Sequence, residues 1–291
     1  MKNERKIWMV TTEHLEDGLW FRDTEDFIVG MNYVGVQVAV SGVIVLAFIL
    51  MSNHVHFILY GTREEVLAFI HGFKMRFSRH LHNKYGLKES LRRNGVDLRE
   101  LPEEEDTLER AIAYVQMNCV AANICSHPSQ YPWGCGSCFF NTVPRKGIRL
   151  GALSARAKRR LLHCAVDLPD DWVLTEDGFI LPASYLNVKY VEELFQTPKR
   201  MNHFLQNSSK ARRRSALGEA SLPAFRDQVV LAALPDLCRT LFGKPFFREL
   251  ADPERAEILR QLRFRFSCNI DQLARVSGLA YEAVARLLDG F

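Results

Sequence analysis

Two apolar runs separated by two residues constrain this chain more than any other feature: Val43–Met51 (VIVLAFILM) and His54–Tyr60 (HVHFILY), with Ser52 and Asn53 between them. Each falls well short of the ~18 apolar residues that suggest a membrane span. Both are rich in strand formers and read as buried strands, and Ser-Asn suits a tight turn joining them. Ile7–Thr12 (IWMVTT) is a third strand candidate, and Leu91–Leu101 supplies a fourth. Around them the apolar spacing turns helical. Asp23–Ser41 carries Phe27, Met31, Val34 and Val38 on one face. Residues 63–84 align Val66, Leu67, Ile70, Phe73, Phe77 and Leu81, and residues 107–124 align Leu108, Ile112, Val115, Cys119 and Ala122. Asp106, three residues before Glu109, has the spacing of a capping box. The order strand–helix–strand–strand–helix–strand–helix predicts an α+β sheet covered by helices.

With 291 residues, 47% hydrophobic and 25% charged, the composition is globular and excludes wholesale disorder. The length suggests about two domains. The charged start Met1–Lys6 is not followed by the apolar stretch of a secretory signal. Seven cysteines are an odd number, so reduced thiols and a cytoplasmic location are expected rather than a disulfide framework. The net charge of +4 is unevenly spread: residues 1–140 hold 14 Lys+Arg against 17 Asp+Glu, and residues 141–214 hold 14 against 7. That basic excess suits either contact with a polyanion or a solvated linker. Within it, residues 154–163 read as a short basic helix, residues 172–206 as a small mixed module, and Ser208–Ser215 as a linker. From Leu222 onward the signals are helical, with breaks at Pro235, Gly243-Lys-Pro245 and Pro253.

Alternate side chains of a strand share a face, so His54 and His56 point the same way, with Val55 and Phe57 opposite. Two imidazoles on one rigid strand can supply two ligands to a divalent metal. His80 and His82 have the same spacing but fall in a helix, where their rings diverge. On the helix over 107–124, Tyr114 lies about 120° from the apolar stripe, at 100° per residue. Asn118, one turn later, projects from nearly the same flank.

The string Met51-Ser-Asn-His-Val-His-Phe-Ile-Leu59 resembles the HUH motif (His, bulky apolar, His) of single-tyrosine transposases. Tyr114-Val-Gln-Met-Asn-Cys-Val-Ala-Ala-Asn123, followed by Pro128 and Tyr131-Pro-Trp133, resembles the second signature of the REP-associated tyrosine transposases within that family. The resemblance spans roughly residues 7–140. It departs from the pattern at Cys119, where Pro is usual, and at Gly134-Cys135, where Ser-Ser is usual. Cys119 keeps a backbone N–H, so the helix is expected to continue through it.

The resemblance implies a ferredoxin-like catalytic domain over residues 1–145 that cuts and rejoins single-stranded DNA. Tyr114 would be the nucleophile. His54 and His56 would hold Mg²⁺ or Mn²⁺, with Asn118 as the candidate third ligand. The implied substrate is single-stranded DNA containing a hairpin, and the implied assembly is a monomer or a homodimer. Lys74, Arg76, Arg79, Arg92 and Arg93 lie near these residues in sequence and could track a phosphate backbone. Arg110, one turn before Tyr114, is the best single candidate for a phosphate contact. Residues 146–215 would then form a basic middle segment and linker, and residues 216–291 a helical domain.

Two further motifs weigh less. Cys135-x-x-Cys138 could be half of a zinc site, but no second pair matches it. Ile270–Leu288 resembles a helix-turn-helix with Ser277-Gly278 in the turn. Tyr281, Glu282 and Arg286 are its polar reach, a thin set for reading a major groove. The main rival to a transposase is therefore a non-catalytic DNA-binding regulator that uses this C-terminal motif. A zinc-dependent or RNA-acting enzyme using the same histidines is a third reading.

Overall fold

The computed structural model describes residues 4–12, 19–87, 91, 94–143, 146–208, 225–266 and 268–289. The chain opens with β1 (Lys6–Thr12), α1 (Thr24–Ser41), β2 (Ile44–Met51), β3 (His54–Gly61), α2 (Arg63–Tyr85), β4 (Val96–Glu100) and α3 (Thr107–Gln116). The element order is the one expected from the sequence, and the fold is α+β. The four strands form one antiparallel sheet in the order β2-β3-β1-β4. β2 and β3 meet through the two-residue turn at Ser52 and Asn53, with Met51 paired to His54.

Helix α1 is rich in valine and glycine, which are weak helix formers. Tertiary burial overrides that weakness: the helix is buried on nearly every side from Asp26 to Gln37. Residues 178–185 pack against it from beside β2, where the Tyr185 ring also lies 6.1 Å from that of Phe48. The Asn32 side chain donates to the Gly178 carbonyl (3.1 Å) and accepts from the Ile180 N–H (2.8 Å). Gly35 permits this approach, since a Cβ there would sit 3.1 Å from Ile180 Cδ1. Asn32→Ala would leave buried backbone groups unsatisfied. It is expected to cost at least about 2 kcal/mol in denaturant unfolding.

Further strands and α-helices among the described residues are α4 (Asn118–Ala121), β5 (Gly147–Arg149), α5 (Ala155–Leu162), β6 (Val173–Thr175), α6 (Val188–Phe195), α7 (Pro198–Asn207), α8 (Asp227–Phe242), α9 (Asp252–Phe266), α10 (Ile270–Ser277) and α11 (Tyr281–Asp289). Residues as far as Leu205 join the core that starts at Trp8. A second core runs from Val230 to Leu287. Residues 209–215 of the expected linker lie outside the described residues. Among the described residues, no helix is long and apolar enough to cross a membrane.

Two local expectations are corrected. Asp106 adopts a left-handed conformation (φ 60°) and makes no capping hydrogen bond. Its carboxylate instead lies 2.9 Å from Arg200 on α7, which also binds Glu109 at 3.0 Å. A charged donor, the Arg200 Nη2 shared between two carboxylates, competes successfully with a cap. The helix predicted over 107–124 is also interrupted. α3 ends at Gln116, α4 makes one turn, and Asn123 turns left-handed (φ 56°). The Asn118 amide donates to the carbonyls of Tyr114 (2.9 Å) and Val115 (3.2 Å). Such local side-chain bonds offer the backbone an alternative to a continuous helix.

Candidate active site

Alternation along β3 decides which side chains meet. The Phe57 ring stands 5.0 and 5.8 Å from the rings of Phe69 and Phe73 on α2. His54, His56 and Ile58 therefore point to the opposite face of the sheet. On that face α3 packs over β2 and β3. Its Tyr114 ring lies 5.9 Å from the His56 ring, edge-on at 88°. The His54 and His56 rings are 4.7 Å apart, again perpendicular. Both histidines and Asn118 are buried, and Tyr114 is half-buried. Side chains from a strand and a helix distant in sequence thus converge at one place.

Each imidazole is held from behind. His54 Nδ1 lies 2.9 Å from Asn53 Oδ1, and an amide oxygen can only accept, so the ring donates from Nδ1. His56 Nδ1 lies 2.9 Å from Thr11 Oγ1 on β1. Thr11 is the residue paired with His56 across the sheet, which brings the hydroxyl to the ring. Metal-binding histidines use one ring nitrogen in this way to fix the tautomer and aim the other. Imidazole nitrogens and an amide oxygen, the donor types that His54, His56 and Asn118 carry, would suit a divalent cation with open positions for oxygen ligands. Among the described residues, no group of three or more His, Cys, Asp or Glu side chains could hold a metal.

The basic candidates divide. Lys74, Arg76 and Arg79 lie on α2, across the sheet from Tyr114, and the structure does not bring them to it. Lys74 is buried, with its ammonium donating to the Asn94 carbonyl. Sequence proximity misled here because α2 and α3 cover opposite faces. Arg92 and Arg93 lie outside the described residues. Arg110 remains on α3 one turn before Tyr114, exposed and 3.6 Å from Asp106. Within the basic middle segment, Arg200 is bound to Asp106 and Glu109, and Lys158 to Asp170 at 2.9 Å.

Other histidines and tyrosines have separate tasks. His80 turns inward to Asp26 (2.7 Å), while His82 is exposed, so this pair diverges as expected. The Tyr131 hydroxyl is buried and donates to the Leu50 carbonyl (2.8 Å), and Trp133 stacks on Phe27 at 5.0 Å. The Tyr131-Pro-Trp133 string therefore secures the outer edge of β2, where Leu50 N–H also donates to the Trp133 carbonyl. Tyr85 lies 3.0 and 2.9 Å from the carboxylates of Asp23 and Asp26. Burial and the neighbouring Asp26 charge push its phenol well above the usual range. Tyr85→Phe is expected to cost about 1.5–3 kcal/mol in thermal or denaturant unfolding, the worth of a hydrogen bond to a charged group.

Sequence reasoning missed Thr11 and Asn53. Asn53 adjoins His54 and was visible as a turn residue. Thr11 could be found only from the β1–β3 register.

No family profile and no curated protein matches the chain. Among solved structures, the chain is similar to a REP-associated tyrosine transposase bound to a REP hairpin, with 13% identity, coverage of 46% of this chain and 78% of that one, and a TM-score of 0.37.

Proposed function

We propose that the chain is a metal-dependent, HUH-type tyrosine transposase that cleaves and rejoins hairpin-containing single-stranded DNA. The observation that carries this reading is the approach of Tyr114 to the His54–His56 pair, with 5.9 Å between the Tyr114 and His56 rings. The strand order β2-β3-β1-β4 with its two intervening helices supports the ferredoxin-like assignment of this part of the chain.

In this reading Tyr114 Oη bonds to the scissile phosphorus as the bond to the 3′ oxygen breaks. The products are a 5′-phosphotyrosine and a 3′-OH. The phenol's proton passes to water, and the departing oxygen takes one up. The phosphoester bond is conserved, so attack by a 3′-OH reverses the step and joins strands. A phenol with a reference pKa of about 10 is a weak nucleophile at neutral pH. A Mg²⁺ or Mn²⁺ ion held by His54, His56 and Asn118 would polarise the phosphate and offset its charge. Asn53 and Thr11 keep the two imidazoles aimed, and the Asn118 amide is fixed by its bonds to the helix carbonyls. Arg110 would contact a phosphate of the bound strand.

The test is incubation with labelled, hairpin-containing single-stranded DNA and Mn²⁺. An SDS-resistant covalent adduct is expected, lost with EDTA and restored by added Mn²⁺. His54→Ala and His56→Ala should each abolish it. Duplex binding without an adduct would favour the non-catalytic regulator.

A further inference from the structure

The second core meets the first through a buried ion pair. Asp227, the first residue of α8, faces Arg275 on α10, with Nε 2.6 Å from one carboxylate oxygen and Nη2 3.0 Å from the other. Gln272 adds a third donor at 3.1 Å. Both members of the pair are almost fully buried. Burial alone would push the Asp227 carboxyl up, but the Arg275 charge and the hydrogen bonds from Arg275, Ser52 and Gln272 hold it below the usual carboxylate range.

Both members also reach out of their own core. The Ser52 side chain, in the turn two residues before His54, helps lower the Asp227 carboxyl, and the Ser52 carbonyl accepts from the N–H of Phe21 at 3.1 Å. Arg275 Nη1 reaches the Ala122 carbonyl at 3.4 Å, at the end of the short helix that begins with Asn118. A neighbouring bond from Gln228 Nε2 to the Phe21 carbonyl (3.2 Å) fixes the same junction. One ion pair therefore touches the turn that leads into the histidines and the end of the segment that bears Tyr114 and Asn118.

We propose that Asp227 and Arg275 are positioning residues for the His54–His56–Tyr114 site, which makes the C-terminal helices part of the catalytic apparatus rather than an appended reader. This rests on the reading of that site given above. A carboxylate held by three donors offers Ser52 a fixed acceptor, and a two-residue turn has little freedom to absorb a shift before His54. Arg275 sets the helix end in the same frame. Misplacement of reacting groups by about 1 Å can slow a reaction about 100-fold.

The test uses the full chain with ¹⁵N-labelled histidine. Ser52→Ala removes one hydroxyl and leaves the ion pair in place. It is expected to shift the His54 imidazole signals while those of His127 and His203 stay fixed. With hairpin DNA and Mn²⁺, adduct formation should slow about 10-fold, as for loss of an outer-shell partner, with the KM for DNA unchanged. Arg275→Lys keeps the charge but shortens the reach to Ala122, and should slow the adduct in the same way. Arg263→Ala, on an exposed part of α9, should change neither readout. Unmoved His54 signals in Ser52→Ala would overturn the proposal, as would shifted signals with an unchanged adduct rate in a native chain that forms adduct. A native chain that forms no adduct overturns the transposase reading instead, and the His54 signals still decide the positioning role.

Discussion

Tyr114→Phe is expected to abolish the covalent DNA adduct while leaving the fold intact. The substitution removes one oxygen from a half-buried ring that packs edge-on against His56. Loss of packing is negligible, and unfolding free energy should change by no more than about 1 kcal/mol. On the proposed mechanism this oxygen is the attacking atom, and its loss cannot be compensated nearby. Tyr85 is bound to two carboxylates and Tyr131 is buried against Leu50. By comparison with the removal of other covalent nucleophiles, the rate should fall by about 10⁴-fold or more. Gel detection of SDS-resistant protein–DNA species is the measurement. An adduct that survives Tyr114→Phe would sink the assignment, whereas one that survives Tyr85→Phe is expected.

The largest effect on stability should come from Arg275→Leu. It strands the Asp227 carboxylate in a buried site, and breaking one side of a buried pair costs about 3–5 kcal/mol. Replacing both residues with leucine removes the orphaned charge, so the double variant should recover much of that loss. Denaturant unfolding of the three variants gives the comparison. The acid limb follows from the same pair. The folded Asp227 carboxyl is held below its unfolded value of about 3.9. Its contribution is therefore fully present above that value and is lost as pH falls through the lower, folded one. The stability difference between wild type and Asp227→Asn should stay constant from pH 7 to about pH 5, then shrink below about pH 4. A difference that grows as the pH is lowered would contradict the sign.

Much of the first core was legible because it rests on local periodicity. The paired apolar runs, the two-residue turn and the helical stripe on α2 each signal themselves within a few residues. Errors arose where a long-range partner competes with a local rule. Asp106 had the spacing of a cap, but Arg200 from α7 takes its carboxylate. Cys119 allowed a continuous helix, yet the Asn118 amide bonds the carbonyls behind it. Helix α1 showed one apolar stripe, and the second covered side comes from residues 178–185.

The site divides in the same way. His54 and His56 share a face because a strand has period two, and that follows from the sequence alone. Tyr114 and Asn118 share a flank because they are four residues apart on a helix. Whether those two surfaces meet depends on which face of the sheet α3 covers, and no local spacing encodes that. The same choice of faces put Lys74, Arg76 and Arg79 on the far side from Tyr114, although they are nearer in sequence to His56. Sequence alone therefore determined the four strands and most of the helices of the first part of the chain, with the chemical types available to them. Tertiary structure decided which of these meet: Thr11 at His56 through strand register, and Asp227 beside Ser52 and Arg275 at Ala122 through docking of the second core. Backbone periodicity is fixed by nearest neighbours along the chain, whereas these contacts arise only when burial of apolar surface brings separate elements together.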